Sequence, residues 1–258
     1  MGLTDFSINL RKLSNFAKNT ARRIFYRAFG RRKKKENLDK EITDLYSSRD
    51  YIEAYAEHTN LIVMDNPEDA IGGMWSDLGK LQFDFLKSQG LKPKQKLLDI
   101  GCGTLRGGRL FIRYLDRGNY YGMDISEEAI AWGKELVERE GLSGKSPQLA
   151  VNKSKNLKLN DYKKEAFDYI FAQSVFSHLP KEMIIECFEN IGNVMTNNGS
   201  FFFTFLRARN YGRIGIRDYA YPFSFFQKAA EQFNFVVEDY SKNYLHPRGQ
   251  IMVRLSNK

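Results

Sequence analysis

One run of glycines, with an acid on either side at a fixed distance, could hold a ligand that carries a nucleoside. The run is Leu97-Leu98-Asp99-Ile100-Gly101-Cys102-Gly103-Thr104-Leu105-Arg106-Gly107-Gly108. Its first four residues read as a buried strand, and the glycines as a tight turn that opens a helix. Glycine has no side chain to hold a ligand away from the backbone. Further on, Tyr120-Tyr121-Gly122-Met123-Asp124-Ile125 reads as a second strand ending in an acid. A carboxylate at that tip is placed to accept hydrogen bonds from both hydroxyls of a ribose. The pair predicts a nucleoside-bearing cofactor on a doubly wound α/β sheet.

The glycine spacing is Gly101-x-Gly103-x-x-x-Gly107, which is not the dinucleotide fingerprint. Asp99-Ile100-Gly101-Cys102-Gly103 instead resembles motif I of the class I S-adenosylmethionine (SAM)-dependent methyltransferases. The segment Phe167-Asp168-Tyr169-Ile170-Phe171-Ala172-Gln173-Ser174-Val175-Phe176-Ser177-His178-Leu179 is similar to that family's fourth strand and the turn after it. The resemblance spans roughly residues 70 to 255. It implies a Rossmann-like sheet of seven mostly parallel strands with an antiparallel last strand, and SAM as cofactor. It also implies roles for particular residues. The backbone of Gly101, Cys102 and Gly103 would run along the methionine part of SAM, with Asp99 ordering the loop. Asp124 would take the ribose, Ile125 would lie against the adenine, and Gln173 would stand at the methionine or methyl end. Arg106 departs from the small residues usual in motif I, and would reach the SAM carboxylate or the substrate.

Bases are needed only if the acceptor must lose a proton. His178 follows strand four, the edge where class I substrates meet SAM, and is a candidate. His246, in the loop before the last strand, is another. For each, plain packing is the alternative. Asp218 and Tyr219 are placed to line the acceptor pocket. Arg207, Arg209, Arg213 and Arg217 crowd the same stretch, and arginines in a cleft suit a carboxylate or phosphate. The Asn/Asp-Pro-Pro-Tyr tetrapeptide of many base- and amide-methylating enzymes is replaced here by Ala172-Gln173-Ser174-Val175. That favours O-methylation of a small-molecule, glycan or lipid-linked acceptor. The two cysteines, Cys102 and Cys187, suggest neither a disulfide framework nor a metal site.

These residues need elements to hold them. Ser200-Phe201-Phe202-Phe203-Thr204-Phe205 suits a central strand buried on both faces. Pro222–Phe233 reads as a helix with proline in its first turn. Phe235–Tyr240 and Gln250–Leu255 read as strands joined by a loop too short for a parallel crossover, hence antiparallel. Ahead of strand one, a helix is expected from Ser76, closed by Gly90. Residues 36–70 read as a helical cap, broken at Ser47-Ser48-Arg49-Asp50, and residues 71–258 as the SAM-binding domain.

The net charge of +9 is local, because residues 1–35 hold eleven Lys and Arg against Asp5 alone. The remainder is close to neutral and offers little to nucleic acid. Phe6, Leu10, Leu13, Ala17, Ala21, Ile24 and Ala28 form one helical face of this leader, and Arg31–Lys35 read as a basic tether. Such a leader suits an anionic membrane surface, a partner, or a removed presequence. The expected location is cytoplasmic, peripheral on a membrane if the leader binds lipid. Two other functions stay open at this point: a SAM-binding protein without turnover, tethered by its leader, and an NAD-dependent Rossmann enzyme.

Overall fold

The structure is a computed structural model that describes residues 31–258, with side chains from Glu36 onward. The amphipathic face expected before Gly30 lies outside the described residues. The run Arg31–Lys35, expected as a tether, instead opens helix α1, Arg31–Ser48. Helix α2, Tyr51–Asp65, follows the expected break, and Asp50 caps it by accepting Ile52 N–H at 3.1 Å. Ile42 and Leu45 of α1 pack on Ala54 and Leu61 of α2. A short helix α3, Pro67–Ala70, and a strap at 71–74 lead into α4, Trp75–Ser88.

From there strands and helices alternate. They are β1 Leu97–Ile100, α5 Gly108–Tyr114, β2 Tyr120–Asp124, α6 Glu127–Arg139, β3 Gln148–Val151, β4 Phe167–Ala172 and α7 Lys181–Val194. Then come β5 Met195–Arg207, β6 Gly212–Ile214, β7 Asp218–Tyr221, α8 Phe223–Gln232, β8 Phe235–Asp239 and β9 Ile251–Asn257. Strands β3, β2, β1, β4 and β5 lie side by side in that order, all parallel. Strand β9 runs antiparallel to β5 over Phe201–Phe205 and to β8. This is the expected Rossmann-like sheet with its reversed last strand. Two strands go beyond the expected seven. Strands β6 and β7 form a hairpin that pairs with the last residues of β5, beyond those paired with β9, with Leu206 and Arg207 opposite Ala220 and Tyr221.

Alternation along the strands explains the layers. Phe201, Phe203 and Phe205 face one core with Ile184, Phe188 and Ile191 of α7 and Phe226 of α8. Phe202 and Phe171 face the other core with Phe85 of α4 and Phe111 of α5. The period of two thus gives each phenylalanine of β5 a side, and both sides are dry. Among the described residues no helix is long and apolar enough to cross a membrane.

Candidate functional site

The glycine turn leaves the carboxyl end of β1, where the crevice of an open α/β sheet lies. Gly101 has φ +69° and Gly103 φ +56°, a region that favours glycine. Side chains there would also collide. A Cβ on Gly101 would stand 2.4 Å from Val175 Cγ2, and one on Gly103 2.5 Å from Ile71 Cγ2. The turn is therefore roofed by the strap on one side and by the loop after β4 on the other.

Asp124 closes the tip of β2. Its carboxylate accepts Gly103 N–H at 2.8 Å and Ser126 N–H at 2.9 Å. Burial raises its pKa, and the N–H groups of Ser126, Gly103 and Ile125 oppose the rise. Asp99 is also buried and accepts the Tyr120 hydroxyl at 2.7 Å. Burial lifts its pKa to about 7, against the pull of that hydroxyl.

A cavity of about 340 Å³ opens in front of this turn. Gly101, Gly103, Asp124 and Ile125 line one end. His178, Arg217 and Asp218 line the other, and His246, Arg248 and Gln250 a third side. Ile52, Tyr55 and Thr59 of helix α2 also face it. Asp99, Cys102, Arg106 and Gln173, the remaining expected cofactor residues, are buried but are not part of its wall.

Two of those four have other partners. Gln173 accepts the Tyr244 hydroxyl at 2.7 Å and donates to Ser174 Oγ at 2.9 Å. Arg106, expected at a cofactor carboxylate or at substrate, instead donates from Nη1 to the carbonyls of Ile71 at 2.7 Å and Gly73 at 2.9 Å. Burial lowers its pKa to about 10. Arg248 also reaches the strap, at the carbonyl of Gly72. The reason is local: Gly72 and Gly73 have positive φ in a strap between two helices, and the carbonyls of residues 71–73 are open to two guanidinium groups.

The acceptor end is built from three elements. The loop after β4 brings His178, β7 brings Asp218, and α2 brings two tyrosines. His178 Nδ1 stands 2.8 Å from Asp218 Oδ1. Asp218 is partly buried, which raises its pKa, but the hydrogen bond and charge of His178 and the charge of Arg217 bring it below the usual range. The Tyr51 hydroxyl lies 2.7 Å from the His178 carbonyl and 2.8 Å from that of Arg217, fastening both to α2. The Tyr55 ring lies against His178 with centroids 5.3 Å apart.

An imidazole with its Nδ1–H on a carboxylate leaves Nε2 free to accept a proton. His246 is arranged differently. Its Nδ1 accepts Arg248 N–H at 3.2 Å, while its buried Nε2 has no partner. Burial, with the charges of Arg106 and Arg248, lowers its pKa to about 4. Among the described residues no cluster of His, Cys, Asp and Glu could hold a metal.

Sequence reasoning did not find the network behind the β4 turn. Ser174 N–H donates to Thr204 Oγ1 at 2.7 Å, and Gln250 Oε1 accepts from both Thr204 Oγ1 at 2.6 Å and Ser174 Oγ at 3.0 Å. Nor did it single out Tyr55. A half-polar side chain every fourth residue on a capping helix carries no signal that separates packing from contact.

The glycine turn with Asp124 fits a nucleoside-bearing cofactor on one side, and His178 with Asp218 an acceptor on the other. Comparisons with known proteins agree. Residues 98–201 match the family model described as a methyltransferase domain. The chain is similar in structure to magnesium protoporphyrin IX methyltransferase from Synechocystis PCC 6803 with bound SAM. That match has 15% identity and TM-score 0.61, and covers 82% of this chain and 99% of that one. It is also similar to phosphoethanolamine N-methyltransferase 2 from Haemonchus contortus, in complex with phosphomonomethylethanolamine and S-adenosylhomocysteine. Here identity is 13% and TM-score 0.58, with 78% of this chain and 61% of that one covered. A third similar structure is the 4+2 cyclase SpnF, at 13% identity and TM-score 0.59, covering 81% and 97%. At such identities the likeness speaks for the fold.

Proposed function

Because residues 98–201 match a methyltransferase-domain model on a fold like that of SAM-bound methyltransferases, we propose that this chain transfers a methyl group from SAM to a small-molecule acceptor, most directly to a hydroxyl oxygen. The observation that carries the reading is the placement of the His178–Asp218 pair on the same cavity as Asp124 and Gly103. A proton acceptor thereby faces the space next to the cofactor seat.

When bound, SAM supplies a methyl group already made electrophilic by its sulfonium. What falls to the protein is orientation and one proton. The Gly101–Gly103 backbone and Asp124 would hold the methionine and ribose parts, with Ile125 against the adenine. Asp99, behind the wall, keeps the turn in place through Tyr120. Asp218 fixes the His178 tautomer, so that Nε2 can take the proton of an acceptor hydroxyl. Positioning of this kind is worth roughly 7–11 kcal/mol in favourable cases, and a well-placed base contributes ~10²–10⁴-fold. His246, with Nδ1 already occupied by a main-chain N–H, suits contact with a ligand better than proton transfer.

The similar structures are named for different acceptors, a tetrapyrrole in one and a phosphorylated amine in another, and a third is named for a cyclisation. The acceptor therefore has to be argued from this cavity. A SAM-binding protein without turnover is the competing reading, since a similar structure is named for a cyclisation and not for methyl transfer. For residues 1–35 we propose contact with an anionic membrane surface, to be checked by vesicle flotation of the full chain against one starting at Glu36.

Calorimetry with SAM, S-adenosylhomocysteine and NAD tests the cofactor. Methyl-labelled SAM, incubated with a small-molecule extract, tests turnover. Micromolar binding of SAM and transfer of label are expected. Binding without any transfer favours the non-catalytic reading, and binding of NAD alone removes both.

A further inference from the structure

The acceptor end of the cavity exposes two polar groups that the chain itself does not satisfy. One is the guanidinium of Arg217. It lines the cavity, and among the described residues no acid stands within ion-pair distance of it. Its main-chain carbonyl, in contrast, is held by Tyr51. The other is the hydroxyl of Tyr55, which lines the same wall and has no hydrogen-bond partner among the described residues. Both border His178, whose ring packs on Tyr55 and whose Nδ1 lies 3.3 Å from the Arg217 carbonyl.

The other charges around the cavity are engaged. Lys155 pairs with Glu53, and Arg248 donates to the Gly72 carbonyl. Asp218 is bound to His178, and Asp124 accepts two main-chain N–H groups. Among the described residues Arg217 is thus the cation of this wall left without an ion-pair contact, beside a free phenolic donor. Guanidinium forks match carboxylate and phosphate oxygens in pairs of hydrogen bonds, and a partly desolvated arginine gains most from such a partner.

Resting on the methyl-transfer reading, we propose that the acceptor carries an anionic group, a phosphate monoester or a carboxylate, seated by Arg217 and Tyr55. The seat adjoins His178, whose ring packs on Tyr55. Binding of the anion there would set the acceptor's nucleophilic atom between His178 and the cofactor.

The experiment uses the full chain saturated with S-adenosylhomocysteine and titrates inorganic phosphate and, separately, acetate by calorimetry. Saturable binding of at least one anion is expected, weakened about tenfold or more by Arg217→Gln, the loss of a charge-assisted pair, and several-fold by Tyr55→Phe. Arg217→Gln should keep S-adenosylhomocysteine affinity within about twofold, which shows that the variant is folded. Tighter phosphate points to a phosphate monoester, and tighter acetate to a carboxylate. No binding of either anion, or equal binding by Arg217→Gln, overturns the proposal. If the wild-type chain fails to bind S-adenosylhomocysteine at all, the methyl-transfer reading itself has failed.

Discussion

Asp124 Oδ2 accepts the N–H of Gly103 at 2.8 Å, so the tip of the second strand is tied to the turn after the first. One carboxylate thereby shapes the turn and still presents lone pairs to the cavity. Asp124→Asn keeps the size but sets an amide N–H₂ against one of the two main-chain donors. A hydrogen bond to a charged group is worth about 1.5–3 kcal/mol, so the affinity for S-adenosylhomocysteine should fall at least tenfold in calorimetry. Wild-type affinity in this variant would remove Asp124 from the cofactor seat.

The contact between the turn and the strap is equally specific. Gly103→Ala places a methyl group 2.5 Å from Ile71 Cγ2 in a left-handed backbone. We expect a loss of about 1–3 kcal/mol in urea unfolding. Ile71→Ala should return the steric share and leave the backbone share, giving a coupling of ~0.5–3 kcal/mol in the double-mutant cycle. Additive losses would mean that the strap does not rest on Gly103.

Much of this was legible in the chain. The apolar run Phe201–Phe205, buried on both faces, and the glycines after β1 are local signals, and so are the acids Asp99 and Asp124. They place the sheet and its cofactor end. Strand β3 escaped because Gln148–Val151 has two exposed and two half-buried residues and no apolar run. The β6–β7 hairpin escaped because its arginines and tyrosines read as a polar loop, although Tyr219 and Tyr221 are buried. Arg106 was placed by residue type at a ligand anion, but its partners are carbonyls more than thirty residues away. The His178–Asp218 pair is legible only as two separate candidates, since it exists only once β7 has joined β5. Tertiary pairing, not propensity, decides such contacts.

The protonation of His178 can be read directly. Nitrogen-15 spectra of the imidazole at neutral pH should show the proton on Nδ1 and a free Nε2 in the wild type. Asp218→Asn should shift the population toward the other tautomer and lower turnover, while cofactor affinity stays unchanged. An unaltered tautomer in that variant would mean that Asp218 does not orient the ring.

Two buried groups give pH dependences of opposite sign. The folded-state pKa of Asp99, about 7, lies above the ordinary 3.8. Its contribution is present below about pH 4 and is lost as pH rises through 7, on the order of 4 kcal/mol. The pKa of His246, about 4, lies below the ordinary 6.5. Its contribution is present above about pH 6.5 and is lost as pH falls through 4, roughly 3 kcal/mol. In urea unfolding Asp99→Asn should therefore gain on the wild type as pH rises. His246→Asn should gain on it as pH falls. Parallel curves for wild type and variants would contradict both assignments.

Strand β5 pairs with β9 as far as Phe205 and with β7 only beyond it, at Leu206 and Arg207. The cofactor half of the molecule is thus completed by the ladder of β5 with β4 and β9, and the hairpin rides on an overhang beyond it. Lengthening, trimming or exchanging that overhang would recast which molecules are accepted while the adenosyl half goes on folding as before. Because Asp218 sits on the hairpin and pairs with His178, such changes would reach the proposed proton acceptor as well.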